Sequence, residues 1–270
     1  MLKYRIITAL ILIPLFVALV LKLPPIGFCI LTGVFVLIGA WEWSFFMGVK
    51  KISLSLIYPV ITLALLAVSL ELPIVTLLYI SVIWWVLALA LVVLYPKASG
   101  IWGKSVLLRG FMGIMVLIPC WLAVNFIRNA ENGTYILLFL FVLIWGADIG
   151  AYFAGRYWGK HKLAPSVSPG KTWEGLAGAL AITLIIAFGA IAIQHLPLYF
   201  WPAAILLSVI TVLFSVLGDL FESMLKRNVG LKDSGRLLPG HGGVLDRIDS
   251  LTAAAPTFSV GAILIGNYFQ

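Results

Sequence analysis

The sequence predicts an all-α, polytopic integral membrane protein with about nine transmembrane helices, and three observations predict it. Hydrophobic residues make up 63% of the 270-residue chain and charged residues only 10%, with a mean hydropathy of +1.13. A water-soluble domain carries about 25% charged residues. The apolar residues fall in runs near the roughly 20 residues that span a bilayer as helix. The alternating segments of roughly ten residues that mark a membrane β-barrel are absent.

In chain order the nine spans are Ile6 to Leu21, Pro25 to Gly48, Ser53 to Leu70, Leu72 to Tyr95, Gly110 to Ile127, Tyr135 to Ala154, Leu176 to Gln194, Tyr199 to Leu225 and Leu251 to Phe269. The first follows Lys3 and Arg5 and has no small-x-small cleavage site after it, so it is expected to be a retained span. Pro24-Pro25, Pro73, Pro96, Gly133 and Pro197 mark joints, because proline and glycine punctuate helices. The third and fourth spans are separated only by Glu71 and its neighbours. No repeat or linker interrupts the chain. Residues 1–145 are expected to be N-terminal transmembrane helices and 146–270 a C-terminal catalytic region of the same membrane-embedded unit.

Nine spans sort the cations by side. The N-terminus and the loops after even-numbered spans hold sixteen of the 18 Lys and Arg, leaving Lys22 and Arg128 opposite. The rich side is expected in the cytoplasm of a cell-membrane protein. The net charge of +8 then lies on one face, where it attracts anionic head groups and nucleotide phosphates. Aromatic residues near run ends (Trp41, Trp43, Trp102, Tyr199-Phe200-Trp201) are expected to form an interfacial belt. Cys29 and Cys120 lie inside apolar runs and imply no disulfide.

Two polar loops break the pattern, Gly155 to Gly175 and Lys226 to Ser250, and acids sit in or beside the spans feeding them: Asp148, Asp219, Glu222, Asp246 and Asp249. A carboxylate at that depth is costly and therefore a functional candidate. Asp219, Glu222, Ser223 and Lys226 are spaced to share one helix face, as are Asp246, Asp249 and Ser250. Two helix ends presenting such oxygens suit a hard divalent cation, Mg²⁺ better than Zn²⁺. The bland alternative is that these acids only pair with Lys226, Arg227, Lys232, Arg236 and Arg247.

Gly240-His241-Gly242-Gly243 is a glycine turn able to aim N–H groups at an anion. His241 is a candidate for phosphate contact or proton transfer. In the earlier loop, Gly170-Lys171-Thr172 resembles the end of a P-loop, but Pro165 stands where that motif needs glycine and no preceding strand is expected. Ser168, Lys171 and Thr172 remain candidates for phosphate or head-group contact. Gly146, Ala147, Gly150 and Ala151 are expected to let helices pack closely beside that loop.

The stretch from Ser223 to Asp249 resembles the signature of the phosphatidate cytidylyltransferases, also called CDP-diacylglycerol synthases. Ser223, Lys226, Arg227, Lys232, Asp233, His241, Gly242, Gly243, Asp246, Arg247 and Asp249 fill every specified polar or glycine position. Ser168 to Gly175 is similar to the family as well, whereas the first half matches only in being hydrophobic and polytopic. The resemblance implies that CTP and phosphatidic acid become CDP-diacylglycerol and pyrophosphate in phospholipid biosynthesis, with Mg²⁺ required. On that reading Asp219, Asp246 and Asp249 hold the metal. Lys226, Arg227, Lys232 and Arg247 neutralise the triphosphate, Gly242 and Gly243 let backbone approach it, and Ser168 and Lys171 hold the lipid phosphate.

Two rivals compete. Intramembrane acids also build transporters, but those sites usually lie near the midplane between repeats, and here the polar residues gather at one surface. The CDP-alcohol phosphotransferases also use Asp and Mg²⁺, but their Asp-Gly-x2-Ala-Arg pattern is missing. The expected partners are CTP, phosphatidic acid and the bilayer, with no nucleic acid; association of the chain with itself stays open.

Overall fold

The computed structural model describes residues 14–49, 51–97, 99–235, 237 and 242–268. Residues 14–22 are helical (α1). The chain continues with α2 (Pro25–Phe46), the short α3 (Ile52–Ser55), α4 (Ile57–Ser69), α5 (Ile74–Val93), the single turn α6 (Ser99–Trp102) and α7 (Val106–Asn129). Then come α8 (Gly133–Trp158), strands β1 (Lys162–Ala164) and β2 (Ser168–Thr172), α9 (Trp173–Ile193), α10 (Trp201–Asn228) and α11 (Leu245–Tyr268). Among the described residues eight helices are long and apolar enough to cross a membrane, which makes this a multi-pass membrane protein. Each corresponds to one of the second to ninth expected spans. Most of the first, from Ile6, lies outside the described residues.

The boundaries follow local chemistry. Pro25 opens α2, where its missing N–H is not needed. The Ser105 hydroxyl accepts from Leu108 N–H and caps α7. The Thr172 hydroxyl does the same for α9 through Gly175 N–H at 3.1 Å. Glu71 is exposed in the turn between α4 and α5.

Helix α7 lies at the centre, enclosed along most of its length and packed on α2, α5, α8 and α11. One buried cluster gathers Trp43, Trp85, Leu117, Phe221 and Leu245; a second gathers Phe28, Leu137, Leu140 and Phe258. Both draw on the two halves of the chain, so neither half owns a core. Two members of the expected aromatic belt are corrected here. Trp43 is 1% exposed and donates to Arg109 O at 2.8 Å, and Trp102 is 2% exposed. Their indoles fill the interior at the ends of helices and do not face the interface. Cys29 and Cys120 are free thiols, Cys120 buried and Cys29 partly so.

Small residues set the two helix crossings that matter. A Cβ on Gly178 of α9 would strike Ala154 and the carbonyl of Gly150 on α8, so these helices approach backbone to backbone. A Cβ on Gly218 of α10 would strike the carbonyl of Asp249 on α11. That second crossing brings the acids of α10 beside those of α11.

The loop from Gly155 to Gly175 is more ordered than expected. Helix α8 runs one turn further, and β1 pairs antiparallel with β2 in the register Lys162↔Thr172 and Ala164↔Ser168. Val167 at the hairpin tip is 2% exposed and docks into the first cluster. A short strand therefore does precede Gly170-Lys171-Thr172, but these residues lie within β2 itself and form no P-loop cradle.

Candidate active site

The C-terminal ends of α2, α8 and α10 and the N-terminal ends of α7, α9 and α11 meet on one face of the bundle, together with the hairpin. Contacts far apart in sequence tie this face together. Arg227 Nε donates to Val167 O at 3.3 Å, Asn228 Nδ2 to Gly103 O at 3.0 Å, and Arg109 Nη1 to Phe46 O at 2.8 Å.

A cleft of about 390 Å³ opens here between α8, β2, α9 and α10. Asp148, Arg156, Lys171, Thr172, Gly175 and Asp219 line it. Lys171 Nζ stands 2.8 Å from Asp219 Oδ2, while Ser223 Oγ donates to Asp219 Oδ1 at 3.3 Å. The hairpin and the eighth span, separate in sequence, thus meet through one ion pair. Thr172 lines the cleft, but its hydroxyl already accepts from Gly175 N–H as the helix cap. Ser168 is half-buried at the start of β2.

Lys226 lies two turns farther along α10, about 10 Å at 1.5 Å per residue. Its ammonium is 2.7 Å from Asp246 Oδ1 and 3.1 Å from Glu222 Oε1, with little of the side chain exposed. Removing Lys226 from this set would leave two buried carboxylates without their cation, whereas removing either acid leaves Lys226 paired with the other. Asp246 Oδ2 accepts from Gly243 N–H at 2.8 Å and Ser234 N–H at 2.9 Å, and lies 3.0 Å from Ser234 Oγ. Both oxygens of Asp246 are therefore engaged by the protein. Arg227 ties the hairpin tip to the loop, donating to Val167 O and to Leu231 O. Lys232 and Arg247 are on exposed positions of the loop and of α11. His241, Gly240 and Arg236 lie outside the described residues.

The glycine turn folds over carboxylates. Gly242 has φ +83°, and a Cβ there would meet Asp246 Oδ2 at 2.6 Å. A Cβ on Gly243 would overlap Ser234 Oγ and both carboxyl oxygens of Glu42. The two glycines thus accommodate the close approach of the chain's own Asp246, Ser234 and Glu42.

Glu42 and Ser234 are the participants that sequence reasoning did not place. Glu42 is fully buried in α2 and accepts from Val244 N–H at 2.9 Å and Leu245 N–H at 2.8 Å. The rule that a carboxylate inside an apolar span is costly does flag it. Its partners, 192 to 203 residues away, cannot be read from spacing. At the base of the hairpin His161 and Glu174 pair at 2.6 Å, and Glu174 also accepts from the amides of Lys160 and His161.

The cleft fits a hard cation that arrives with its ligand. Mg²⁺ commonly takes one or two carboxylates and completes its shell with water and substrate phosphates. Asp148 and Asp219 on the cleft supply such oxygens. Asp219, Asp246 and Asp249 do not close into a cage of their own. Among the described residues no three Asp, Glu, His or Cys side chains come together as ligands. Asp249 Oδ1 accepts from Ser250 N–H at 2.7 Å.

Comparison with known proteins bears directly on this site. The Cytidylyltransferase family profile matches residues 3–264. A phosphatidate cytidylyltransferase of Pseudomonas aeruginosa is 42% identical over 261 residues, covering 96% of each chain. One from Haemophilus influenzae is 42% identical over 285 residues, covering 96% of this chain and 98% of its own. One from Staphylococcus aureus is 43% identical over 137 residues, about half of each chain. With a match running through nearly every helix and through both polar loops, the chain belongs to the cytidylyltransferase family.

Proposed function

We propose that this membrane enzyme transfers the cytidylyl group of CTP to phosphatidic acid, giving CDP-diacylglycerol and pyrophosphate. The observation that carries the reading is the Lys171–Asp219 pair, 2.8 Å apart in a cleft at the helix ends. Both reactants are anions and one stays in the bilayer, so the reaction needs a cation and a carboxylate at the membrane surface. The two relatives matched along nearly their whole length carry the name phosphatidate cytidylyltransferase.

In this mechanism a phosphate oxygen of the lipid attacks the α-phosphorus of CTP in line. A new P–O–P link forms, and the bond to the β-phosphate oxygen breaks, leaving its electron pair on pyrophosphate. The lipid phosphate is largely ionised at neutral pH, so no strong general base is required. Catalysis is then chiefly positioning and charge neutralisation. Lys171, with Ser168 on the same strand, holds the lipid phosphate; Arg227, Lys232 and Arg247 draw the triphosphate to the adjoining loop, where Lys226 stands paired with Asp246 and Glu222. Asp219, on the cleft, is the carboxylate that would hold a Mg²⁺ ion arriving with CTP, and the ion would supply charge neutralisation between the two anionic reactants. The cation-rich face is cytoplasmic, where CTP is available, under the charge rule that orients membrane helices.

Purified protein given phosphatidate and CTP labelled at either the α- or the γ-phosphorus tests this reading. The α label enters the lipid extract and the γ label leaves as pyrophosphate. A lipid extract without α label, or label transfer without phosphatidate, overturns it.

A further inference from the structure

We propose that Glu42 is a positioning residue for this reaction, setting the Lys226–Asp246 pair from the first half of the chain through Ser234. The proposal rests on the function proposed above. Glu42 is 0% exposed, and its two oxygens accept the Val244 and Leu245 amides at 2.9 and 2.8 Å. Those amides sit at the start of α11, where N–H groups lack partners inside the helix and the helix carries its positive end. Glu42 therefore fixes where α11 begins, and Asp246 is the second residue of that helix.

A second path runs through Ser234. Its hydroxyl is 3.0 Å from Glu42 Oε2 and 3.0 Å from Asp246 Oδ2, and Asp246 Oδ1 holds Lys226 at 2.7 Å. Three short contacts thus lead from α2 to the ammonium on α10. One hydroxyl proton serves only one carboxylate at a time, so Ser234 sets the spacing between the two acids. The loop is shaped around this acid: a Cβ on either Gly235 or Gly243 would overlap the Glu42 carboxyl group. Helix α2 gains nothing from a buried carboxylate in its own apolar span. Its use is the loop that it holds.

The test uses the full chain, purified in detergent, with Glu42→Gln, Ser234→Ala and the double variant. Gln keeps the shape but turns an NH₂ toward backbone N–H groups, so the loop and Asp246 shift. A displacement of about 1 Å costs about 100-fold in rate. The expected result is a kcat 10- to 100-fold below wild type for each single variant, with CTP still binding at one site per chain by calorimetry. The double variant is no slower than the worse single, because both residues act by placing the same group, Asp246. Single variants within twofold of wild type overturn the proposal, as do losses that multiply in the double variant. A loss explained entirely by a smaller CTP-binding fraction means a structural role only and also overturns it. If Glu42→Gln fails to fold, Ser234→Ala decides, and wild-type turnover in that variant overturns the proposal. A wild-type chain that makes no CDP-diacylglycerol removes the proposed function and this inference with it. An active wild type beside equally active variants removes this inference alone.

Discussion

At the scale of single residues, the acids of α10 and α11 do different work. Asp219 faces the cleft and Lys171, whereas Asp246 has both oxygens taken by Lys226, Ser234 and Gly243. Asp246→Asn is therefore expected to lower turnover at least 100-fold, on the order of 2.7 kcal/mol in the barrier. It also destabilises the fold, by about 1–3 kcal/mol, because an amide cannot accept from Lys226 and from the Ser234 and Gly243 amides at once, although Glu222 still pairs Lys226. Activity and thermal melting of the detergent-purified variant check both; near-wild-type activity contradicts the assignment. Asp219→Asn leaves the buried set intact and is expected to lower activity with little change in melting temperature. The face shared by Asp219, Ser223 and Lys226 was legible in the sequence, since helical spacing is local. That Glu42 closes the set was not legible, because the partners come from α2 and α11.

At the scale of elements, eight spans were readable from hydropathy and proline alone, and the structure moves their ends by a few residues. The hairpin was not readable: β1 and β2 are too short for a periodic pattern, and Val167 docking and the Arg227 contact hold them in place. The indoles of Trp43 and Trp102 were misplaced for a related reason. Position near a run end suggests an interface, but burial depends on which helix lies opposite. Close crossing of α8 and α9 was foreseen from small residues and gives an element-scale prediction. Gly178→Leu forces the helices apart at Ala154 and Gly150, widening the cleft and costing about 1–3 kcal/mol. Gly189→Ala on the same helix meets nothing within 4 Å and is expected to be silent in melting and activity.

At the scale of the whole molecule, the polar loops, the hairpin and most of the exposed cations share one face, while Lys22 and Glu71 lie toward the other. The proposed orientation, with the cation-rich face cytoplasmic, gives a prediction at this scale. In a background with Cys29 and Cys120 replaced, Lys162→Cys should react with an impermeant maleimide only in inverted vesicles, and Glu71→Cys only in right-side-out ones. The reverse pattern contradicts the orientation. Both halves of the chain build the site, since α2 supplies Glu42 and α7 lies beneath α11. The motifs that resemble known enzymes lie in the second half, yet the family match runs through both halves and the architecture requires the first as well.

The most direct measurement replaces Lys171 with Met and compares steady-state kinetics in mixed micelles with varied phosphatidate and CTP. If two anions react in the cleft beside Asp219, kcat/KM for phosphatidate falls at least 100-fold while the protein melts as wild type does. Unchanged kinetics would mean that the reacting phosphates lie elsewhere.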